Sequence, residues 1–184
     1  MKLSEHKDLK NAIAGLPVKE KDKLLLRLIA KDKVLTEHLH YKLLEDEHDL
    51  EDRKEKIKSD IEDQLAELKR LNVKEALAKV RKMIAGVNHF YKVTKDAFGE
   101  VELKIFILSI IPLDYKRSLF GYKDFGFLFA TFYIKTVQVT LNKLAKLHED
   151  LQFDLSETVN QLLTKIYSSK LAGAAEASNL PKAV

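Results

Sequence analysis

The apolar positions of the chain recur at helical spacing almost throughout its length. The clearest stripe lies in 125–147, where apolar side chains are three or four residues apart. Aromatic residues widen that stripe to more than half of the helix circumference, and a helix that is apolar on most sides is expected to be buried on most sides. We therefore predict that 125–147 is the central helix of an all-α protein. The stripe consists of Phe127, Ala130, Ile134, Val137, Leu141 and Leu144, widened by Phe125, Leu128, Phe129, Phe132 and Tyr133.

Three shorter amphipathic stretches precede residue 45. Ser4 is a candidate N-cap for a helix over 4–15, Pro17 opens a second helix, and Asp32 is placed to cap a third. Each stretch has leucine or isoleucine on one face, so we expect that face to be buried. The residues concerned are Leu9, Ile13 and Leu16, then Leu24, Leu25, Leu28 and Ile29, then Leu35, Leu39, Leu43 and Leu44.

Residues 50–96 predict a long antiparallel helical hairpin. Between Leu50 and Leu71 a narrow apolar stripe is flanked by acidic and basic residues at i to i+4 spacing, which is typical of a long helix with a mostly wet surface. Asn72 and Glu75 have the spacing of a capping box, and a second apolar stripe follows them. We expect the two helices to pack about the corner at 71–72.

The segment 101–111, VELKIFILSII, is compatible with a strand or a helix. Its apolar residues alternate with Glu102 and Lys104, as they would in a strand. No other segment offers a good partner strand, and a lone strand would leave its backbone groups unpaired. We therefore predict a buried helix that stops at Pro112.

The remaining pattern completes the expected domain organisation. A last helix is predicted from about residue 154, and the small and polar residues 171–184 predict a flexible C-terminal tail. We thus expect a single all-α domain over 1–170, an irregular bundle of seven or eight helices. A regular helical-repeat solenoid is disfavoured because no internal repeat is visible.

Composition narrows the functional classes. The absence of cysteine excludes disulfide and thiolate chemistry and fits a reducing cytoplasm. No apolar run approaches the about 20 residues that span a bilayer, and the first residues lack a signal-peptide pattern, so we expect a cytoplasmic protein with no membrane partner. Phosphate-binding glycine loops and hydrolase motifs are also missing, which favours a protein that is not an enzyme. No cofactor is predicted.

Two basic regions are candidate binding surfaces. Residues 71–150 carry 13 Lys and Arg against 8 Asp and Glu, which concentrates the basic excess there. Cations interleaved with aromatic rings suit single-stranded nucleic acid, and Tyr with Arg also suits a protein partner. The alternative is that the rings complete the core while the cations reach water. The candidate residues are Tyr115, Lys116, Arg117, Tyr122 and Lys123 in one loop, and Lys74, Arg81 and Lys82 on the middle helix.

A histidine and carboxylate cluster is a candidate metal site. Two Glu-x-x-His pairs occur within twelve residues, and this spacing is used by di-metal carboxylate bundles. Such bundles need their pairs on different helices facing inward, whereas these pairs lie in one charged segment. A solvated surface is therefore the favoured interpretation. The candidate ligands are His38, His40, Glu45 and His48.

Four stretches resemble a bacterial family of small helical proteins that carries only a domain-of-unknown-function description. They are 16–33 (LPVKEKDKLLLRLIAKDK), 39–46 (LHYKLLED), 88–109 and 120–144. The resemblance implies an all-helical fold, which favours a helix at 101–111, and it implies no particular activity.

Our leading expectation is a non-enzymatic, cytoplasmic module that binds another protein through a helical face. A weak nucleic-acid binder that uses the basic residues is one alternative, and a metal-dependent helical-bundle enzyme is another. Self-association through the apolar seam of the 50–96 hairpin is also left open.

Overall fold

A computed structural model describes residues 3–115 and 124–184, and within them the chain is helical with no strand. Eight of the ten α-helices in these two ranges have nine residues or more, which agrees with the predicted bundle of seven or eight helices. The helices are α1 (Lys7–Gly15), α2 (Val18–Ile29), α3 (Lys33–Leu44), α4 (Glu47–Glu62), α5 (Leu65–Leu68), α6 (Val73–Thr94), α7 (Ala97–Ile110), α8 (Phe125–Leu144), α9 (Glu149–Tyr167) and α10 (Ala172–Ala177).

The chain divides into two compact units, 1–44 and 45–184. This division differs from the single domain predicted over 1–170. The prediction assumed that every apolar helix face joins one core, but no residue of 3–44 is buried. All the buried residues in the described part of the chain lie in the second unit.

The N-terminal unit contains α1, α2 and α3. The Asp32 side chain caps α3 as predicted, because its Oδ1 accepts a hydrogen bond of 3.0 Å from the Leu35 backbone N–H. The predicted Ser4 cap is not formed, since residues 3–5 make a short 3-10 turn and α1 begins at Lys7. The predicted burial of the leucine faces is also wrong: Leu24 and Ile29 are partly buried, and most of the other leucines are exposed.

The core of the second unit surrounds α7, which packs against α4, α6, α8 and α9. The prediction of a buried helix at 101–111 is confirmed, and Val101, Leu103 and Ile107 have no exposed surface. The central helix is therefore α7 and not α8. Phe127, which we placed in the core stripe of α8, is 67% exposed. Periodicity identified an apolar face on both helices, but it did not show that α7 packs against four helices while part of the apolar start of α8 is exposed.

The segment predicted as a long hairpin forms three helices. The capping box at its corner is confirmed: the Asn72 Oδ1 accepts from the Glu75 N–H at 3.2 Å, and the Glu75 Oε2 accepts from the Asn72 N–H at 3.1 Å. The first arm is interrupted, because α4 ends at Glu62 and α5 is a separate single turn. Since α4 packs against α7 as well as α6, the two arms do not form an isolated pair.

The C-terminal segment 171–184 packs against α8 and α9 through α10. Leu171, Ala175 and Leu180 are buried, and the Gln138 side chain donates a 2.6 Å hydrogen bond to the Ser178 carbonyl. This packing differs from the flexible tail expected from the sequence. Small alanine and glycine residues dominate the segment, so its apolar stripe gives a weak signal.

Candidate functional site

The N-terminal unit presents an exposed apolar stripe along α2. Val18, Leu25 and Leu28 lie seven and three residues apart, which places them on one side of the helix. They are 71%, 56% and 53% exposed. We call these three residues the leucine ridge.

The ridge belongs to a wider set of exposed apolar residues. Within 3–115 and 124–184, ten of the fourteen large apolar residues that are exposed lie in the N-terminal unit. Scattered exposed leucines are normal on a protein surface, but a concentration of them in one small unit indicates a contact surface. The ten are Leu3, Leu9, Leu16, Val18, Leu25, Leu26, Leu28, Leu35, Leu43 and Leu44.

Charge is divided unequally between the two units. Residues 1–44 contain ten Lys and Arg against six Asp and Glu, whereas 45–184 contain 22 of each. The formal net charge of +4 therefore resides entirely in the N-terminal unit. The first part of the second unit is strongly acidic, since 45–68 carry eleven Asp and Glu against four Lys and Arg. A basic, leucine-bearing unit and an acidic helical segment thus occur in the same chain.

Two of the predicted basic residues on α6 pack against aromatic rings of α8. The Lys74 Nζ lies 5.6 Å from the centre of the Phe125 ring, and the Arg81 guanidinium carbon lies 5.2 Å from the centre of the Phe132 ring. Cation–π contacts of this kind contribute about 0.5–1 kcal/mol at exposed sites. Lys82, the third predicted residue, is exposed on the same helix. These cations therefore cover the aromatic start of α8 while remaining at the surface.

Tyr115 is a packing residue at the end of the α7 segment. Its ring meets the Phe129 ring edge-on, with centroids 5.1 Å apart, and its buried hydroxyl has no hydrogen-bond partner. Burial raises the pKa of Tyr115 to about 12. The structure thus favours the alternative in which this ring completes the core. Lys116, Arg117, Tyr122 and Lys123 lie outside the described residues.

The four candidate metal ligands are divided between the units, with His38 and His40 in the first and Glu45 and His48 in the second. The Glu45 carboxylate accepts hydrogen bonds of 2.6 and 2.5 Å from Nε and Nη2 of Arg53. In the described ranges 3–115 and 124–184, no group of three or more His, Asp or Glu side chains is arranged to hold a metal ion. The Glu-x-x-His spacing therefore does not produce a ligand cluster.

A buried ion cluster that the sequence did not indicate joins α7 to α8. Glu100 is 2% exposed, and its Oε1 accepts from the Lys104 Nζ at 2.6 Å and from the Lys143 Nζ at 2.5 Å. The Lys143 Nζ also lies 5.0 Å from the centre of the Tyr91 ring. Each cation is paired with the single carboxylate, which is what burial of charge requires. The cluster holds the core together and presents no unpaired group for catalysis.

A second ion cluster joins α4 to α7. The Glu102 carboxylate accepts from the Lys58 Nζ at 2.9 Å and from the Lys54 Nζ at 3.4 Å. Burial acts to lower the pKa of both lysines, but hydrogen bonds and attraction from Glu102 and from the neighbouring acids of α4 outweigh it and raise each pKa. Glu102 and Lys104 alternate with apolar residues in 101–105, but this pattern indicated neither their burial nor their partners.

Lys165 closes the C-terminal end of α7. Its Nζ donates hydrogen bonds of 2.5 and 2.7 Å to the carbonyl oxygens of Ser109 and Ile111. Burial lowers the pKa of Lys165. A cation at a helix C-terminus satisfies carbonyls that have no partner within the helix. Its amine is engaged in that contact, so we assign it a structural role.

None of the helices in the described part of the chain combines the length and apolar character needed to cross a membrane. Comparison with protein-family models, curated protein sequences and solved structures finds no match to the chain. The resemblance noted from the sequence stays a prediction.

Proposed function

We propose that this protein is a non-enzymatic interaction module that binds an acidic, helical protein surface through the leucine ridge of its N-terminal unit. The observation that carries the proposal is the absence of any buried residue in 3–44, together with the exposure of ten large apolar side chains there. A segment of this size that buries so little of its own apolar surface gains stability when another surface covers it.

The energy available from the ridge is moderate. Complete burial of a Leu or Val side chain contributes about 1.5–3 kcal/mol, and 53–71% of each ridge residue is exposed. Covering the ridge is therefore worth roughly 3–5 kcal/mol, which alone corresponds to a weak complex. The net positive charge of the unit adds attraction for an acidic partner and raises the rate of encounter.

Site-specific photo-crosslinking of the full-length chain tests the proposal. A photoreactive residue at position 28 is expected to capture a discrete protein from a lysate of the source cells, and the same residue at Lys23, on the other side of α2, is expected to capture little. The crosslinked peptide of the partner is expected to be acidic and helical. Binding of the purified partner is expected to weaken with salt and to be lost in the Leu25→Lys, Leu28→Lys double variant.

Equal capture from positions 28 and 23 would refute the proposal. So would a purified partner that binds the double variant as tightly as the unaltered chain. The circular dichroism of the variant serves as the control for folding, because both substitutions are at exposed positions and leave the core of the second unit unchanged.

A second candidate is weak nucleic-acid binding along α6. Lys82 and Lys92 are exposed on this helix, and the Lys74 and Arg81 cations also face outward, which supplies phosphate attraction without recognition of sequence. Fluorescence anisotropy with a labelled single strand tests it. Binding that falls steeply between low and physiological salt, and is weakened by Lys82→Glu, is expected for this function; no binding at low salt would remove it.

A further inference from the structure

The helices α6 and α8 carry almost no negative charge. Together they contain seven Lys and Arg and a single acid, Glu75, whose carboxylate is used in the cap of α6. The second unit as a whole is neutral, with 22 charges of each sign, so the positive charge of these two helices is balanced elsewhere in the unit. Basic charge concentrated in this way attracts a polyanion.

Three cation–aromatic pairs show how α6 and α8 lie against each other. Each pair joins a cation on one helix to a ring on the other, and in all three the α8 residue is 51 or 52 positions after the α6 residue. Because this offset is constant, the two helices run side by side, parallel and in register. The pairs are Lys74 with Phe125, Arg81 with Phe132, and Tyr91 with Lys143.

Lys74, Arg81 and Lys92 form a row of exposed cations along α6. They are seven and eleven residues apart, which returns each of them to the same side of the helix. Ala78 and Ala85, exposed between them on this side, are too small to cover the row. At about 1.5 Å per residue, the row is about 27 Å long.

Lys135 and Lys146 extend the basic surface onto α8. Both are exposed, and the eleven residues between them place them on one side of that helix, opposite its buried residues. In the ranges 3–115 and 124–184, no residue supplies a carboxylate or a hydrogen-bond partner to the side chains of Lys92, Lys135 and Lys146. Lys143 is neutralised by Glu100 and is not counted. We call the remaining five cations the basic seam: Lys74, Arg81, Lys92, Lys135 and Lys146.

The basic seam lacks the apolar anchors that a protein or a membrane partner requires. Of the large apolar side chains of α6 and α8, only Phe127 and Val139 are exposed, and Phe127 lies on the other side of α8 from Phe132. Protein interfaces centre on buried apolar or aromatic anchors, and membrane-surface helices insert an apolar face. Interfaces with nucleic acid are polar and strongly basic. The composition of the seam therefore selects nucleic acid.

The aromatic rings of the seam are already covered. Lys74 and Arg81 lie over Phe125 and Phe132, at 5.6 and 5.2 Å from the ring centres. Proteins that hold single strands stack the bases on open rings, which this surface does not offer. A duplex needs no stacking, and it presents about one negative charge per 1.7 Å of its axis. The row on α6 has the length of about eight base pairs.

We infer that the basic seam binds the phosphate backbone of double-stranded nucleic acid without reading its sequence. The inference rests on the second candidate function, extends it from α6 to α8, and specifies a duplex as the ligand. It is independent of the leucine ridge and of the partner proposed for that ridge.

Fluorescence anisotropy of the full-length chain with a labelled DNA duplex of about 16 base pairs, twice the length of the row, tests the inference. Five cation–phosphate contacts give a log–log salt slope of about −4.5, so the affinity is expected to fall about 500-fold from about 50 to about 200 mM salt. The Lys135→Gln, Lys146→Gln double variant has lost two contacts, and its affinity is expected to fall only about 40-fold over the same interval.

Lys56→Gln, Lys69→Gln is the matched control. It removes two exposed lysines from the acidic segment that precedes α6, and the salt dependence of the unaltered chain is expected to persist. One strand of the probe alone is expected to bind more weakly than the duplex, and duplexes of different sequence are expected to bind equally. Circular dichroism checks that each variant is folded.

The possible failures are distinguishable. No binding of the duplex at low salt overturns this inference together with the second candidate function, and leaves the leucine-ridge proposal unaffected. A salt dependence that Lys135→Gln, Lys146→Gln leaves unchanged overturns the inference, as does tighter binding of the single strand than of the duplex. If Lys82→Glu weakens single-strand binding in either of these cases, the second candidate function stands on α6 alone.

Discussion

Neutralising the carboxylate of Glu100 is expected to destabilise the protein far more than removing one of its two cations. Glu100→Gln keeps the shape of the side chain but leaves Lys104, which is 5% exposed, as a buried cation with no carboxylate partner. Lys143 is 38% exposed and can turn toward water. Leaving one partner of a buried ion pair unpaired costs about 3–5 kcal/mol, and here that cost comes almost entirely from Lys104.

Lys104→Met is the matched comparison. It removes the buried cation while both oxygens of Glu100 remain bonded to the Lys143 Nζ at 2.5 and 2.6 Å. Lys104→Met therefore removes one hydrogen bond to a charged group, which lowers the free energy of unfolding by about 1.5–3 kcal/mol. The apolar packing of the methionine offsets part of this decrease. The double variant is expected to be more stable than Glu100→Gln alone, because it no longer contains an unpaired buried charge.

Urea unfolding followed by far-ultraviolet circular dichroism measures these differences, since the chain has no tryptophan to report on unfolding by fluorescence. If the free energy of unfolding falls by about 2 kcal/mol per molar urea, a destabilisation of about 4 kcal/mol lowers the midpoint of urea unfolding by about 2 M. A decrease in the free energy of unfolding of less than about 1 kcal/mol in Glu100→Gln would contradict this expectation, as would a larger decrease in Lys104→Met than in Glu100→Gln.

Three further predictions concern the second unit. Gly99→Ala is expected to lower the free energy of unfolding in urea by about 1–3 kcal/mol, because a Cβ there would lie 2.2 Å from the Asp96 Oδ2 and would displace the carboxylate that caps α7. A change near zero would contradict this expectation. Tyr115→Phe is expected to leave the free energy of unfolding unchanged or to raise it by about 1 kcal/mol, because the hydroxyl that it removes is buried without a partner. Tyr133→Phe is expected to lower the free energy of unfolding by about 1 kcal/mol, because it removes the 2.5 Å hydrogen bond to the Leu108 carbonyl. Equal effects of the two substitutions would contradict both expectations. Burial raises the pKa of Tyr115 to about 12 and that of Tyr133 further, so the folded state favours the neutral phenols. The free energy of unfolding is therefore expected to stay constant below pH 10 and to fall as the pH rises toward 12. Urea titrations repeated at each pH are expected to show a smaller fall for Tyr115→Phe than for the unaltered chain.

The features that were predicted correctly depend on residues close together in the sequence. The caps at Asp32 and Asn72 follow from side chains that reach backbone N–H groups three residues away. The helix at 101–111 was predicted because no other segment of the sequence offers a good partner strand, and this comparison can be made without a three-dimensional structure. These signals located the starts of α2, α3, α6 and α8 and the all-α class, whereas α1, α4, α7 and α9 begin three to five residues from the predicted positions.

The features that were missed depend on what covers each helix. Periodicity gave α2 and α8 apolar faces, but it did not show that Leu28 and Phe127 are exposed. The Glu100 to Lys143 ion pair joins residues 43 positions apart, and the sequence records only an acid within an apolar run. The exposed ridge could be inferred only after the structure showed that nothing in the N-terminal unit is buried.

The position of α7 in the chain order affects how the protein is synthesised. The ribosome releases this most apolar helix before α8 and the whole of α9, which together cover much of its surface. Elongation at about 5–20 residues per second leaves about 3–11 s between the end of α7 and the end of α9. During that time the surface of α7 that α8 and α9 cover in the finished protein is exposed, with the acidic residues 45–68 and the basic residues 1–44 already synthesised ahead of it. The helix that packs against α4, α6, α8 and α9 in the finished protein is thus the segment for which a nascent-chain chaperone is most useful.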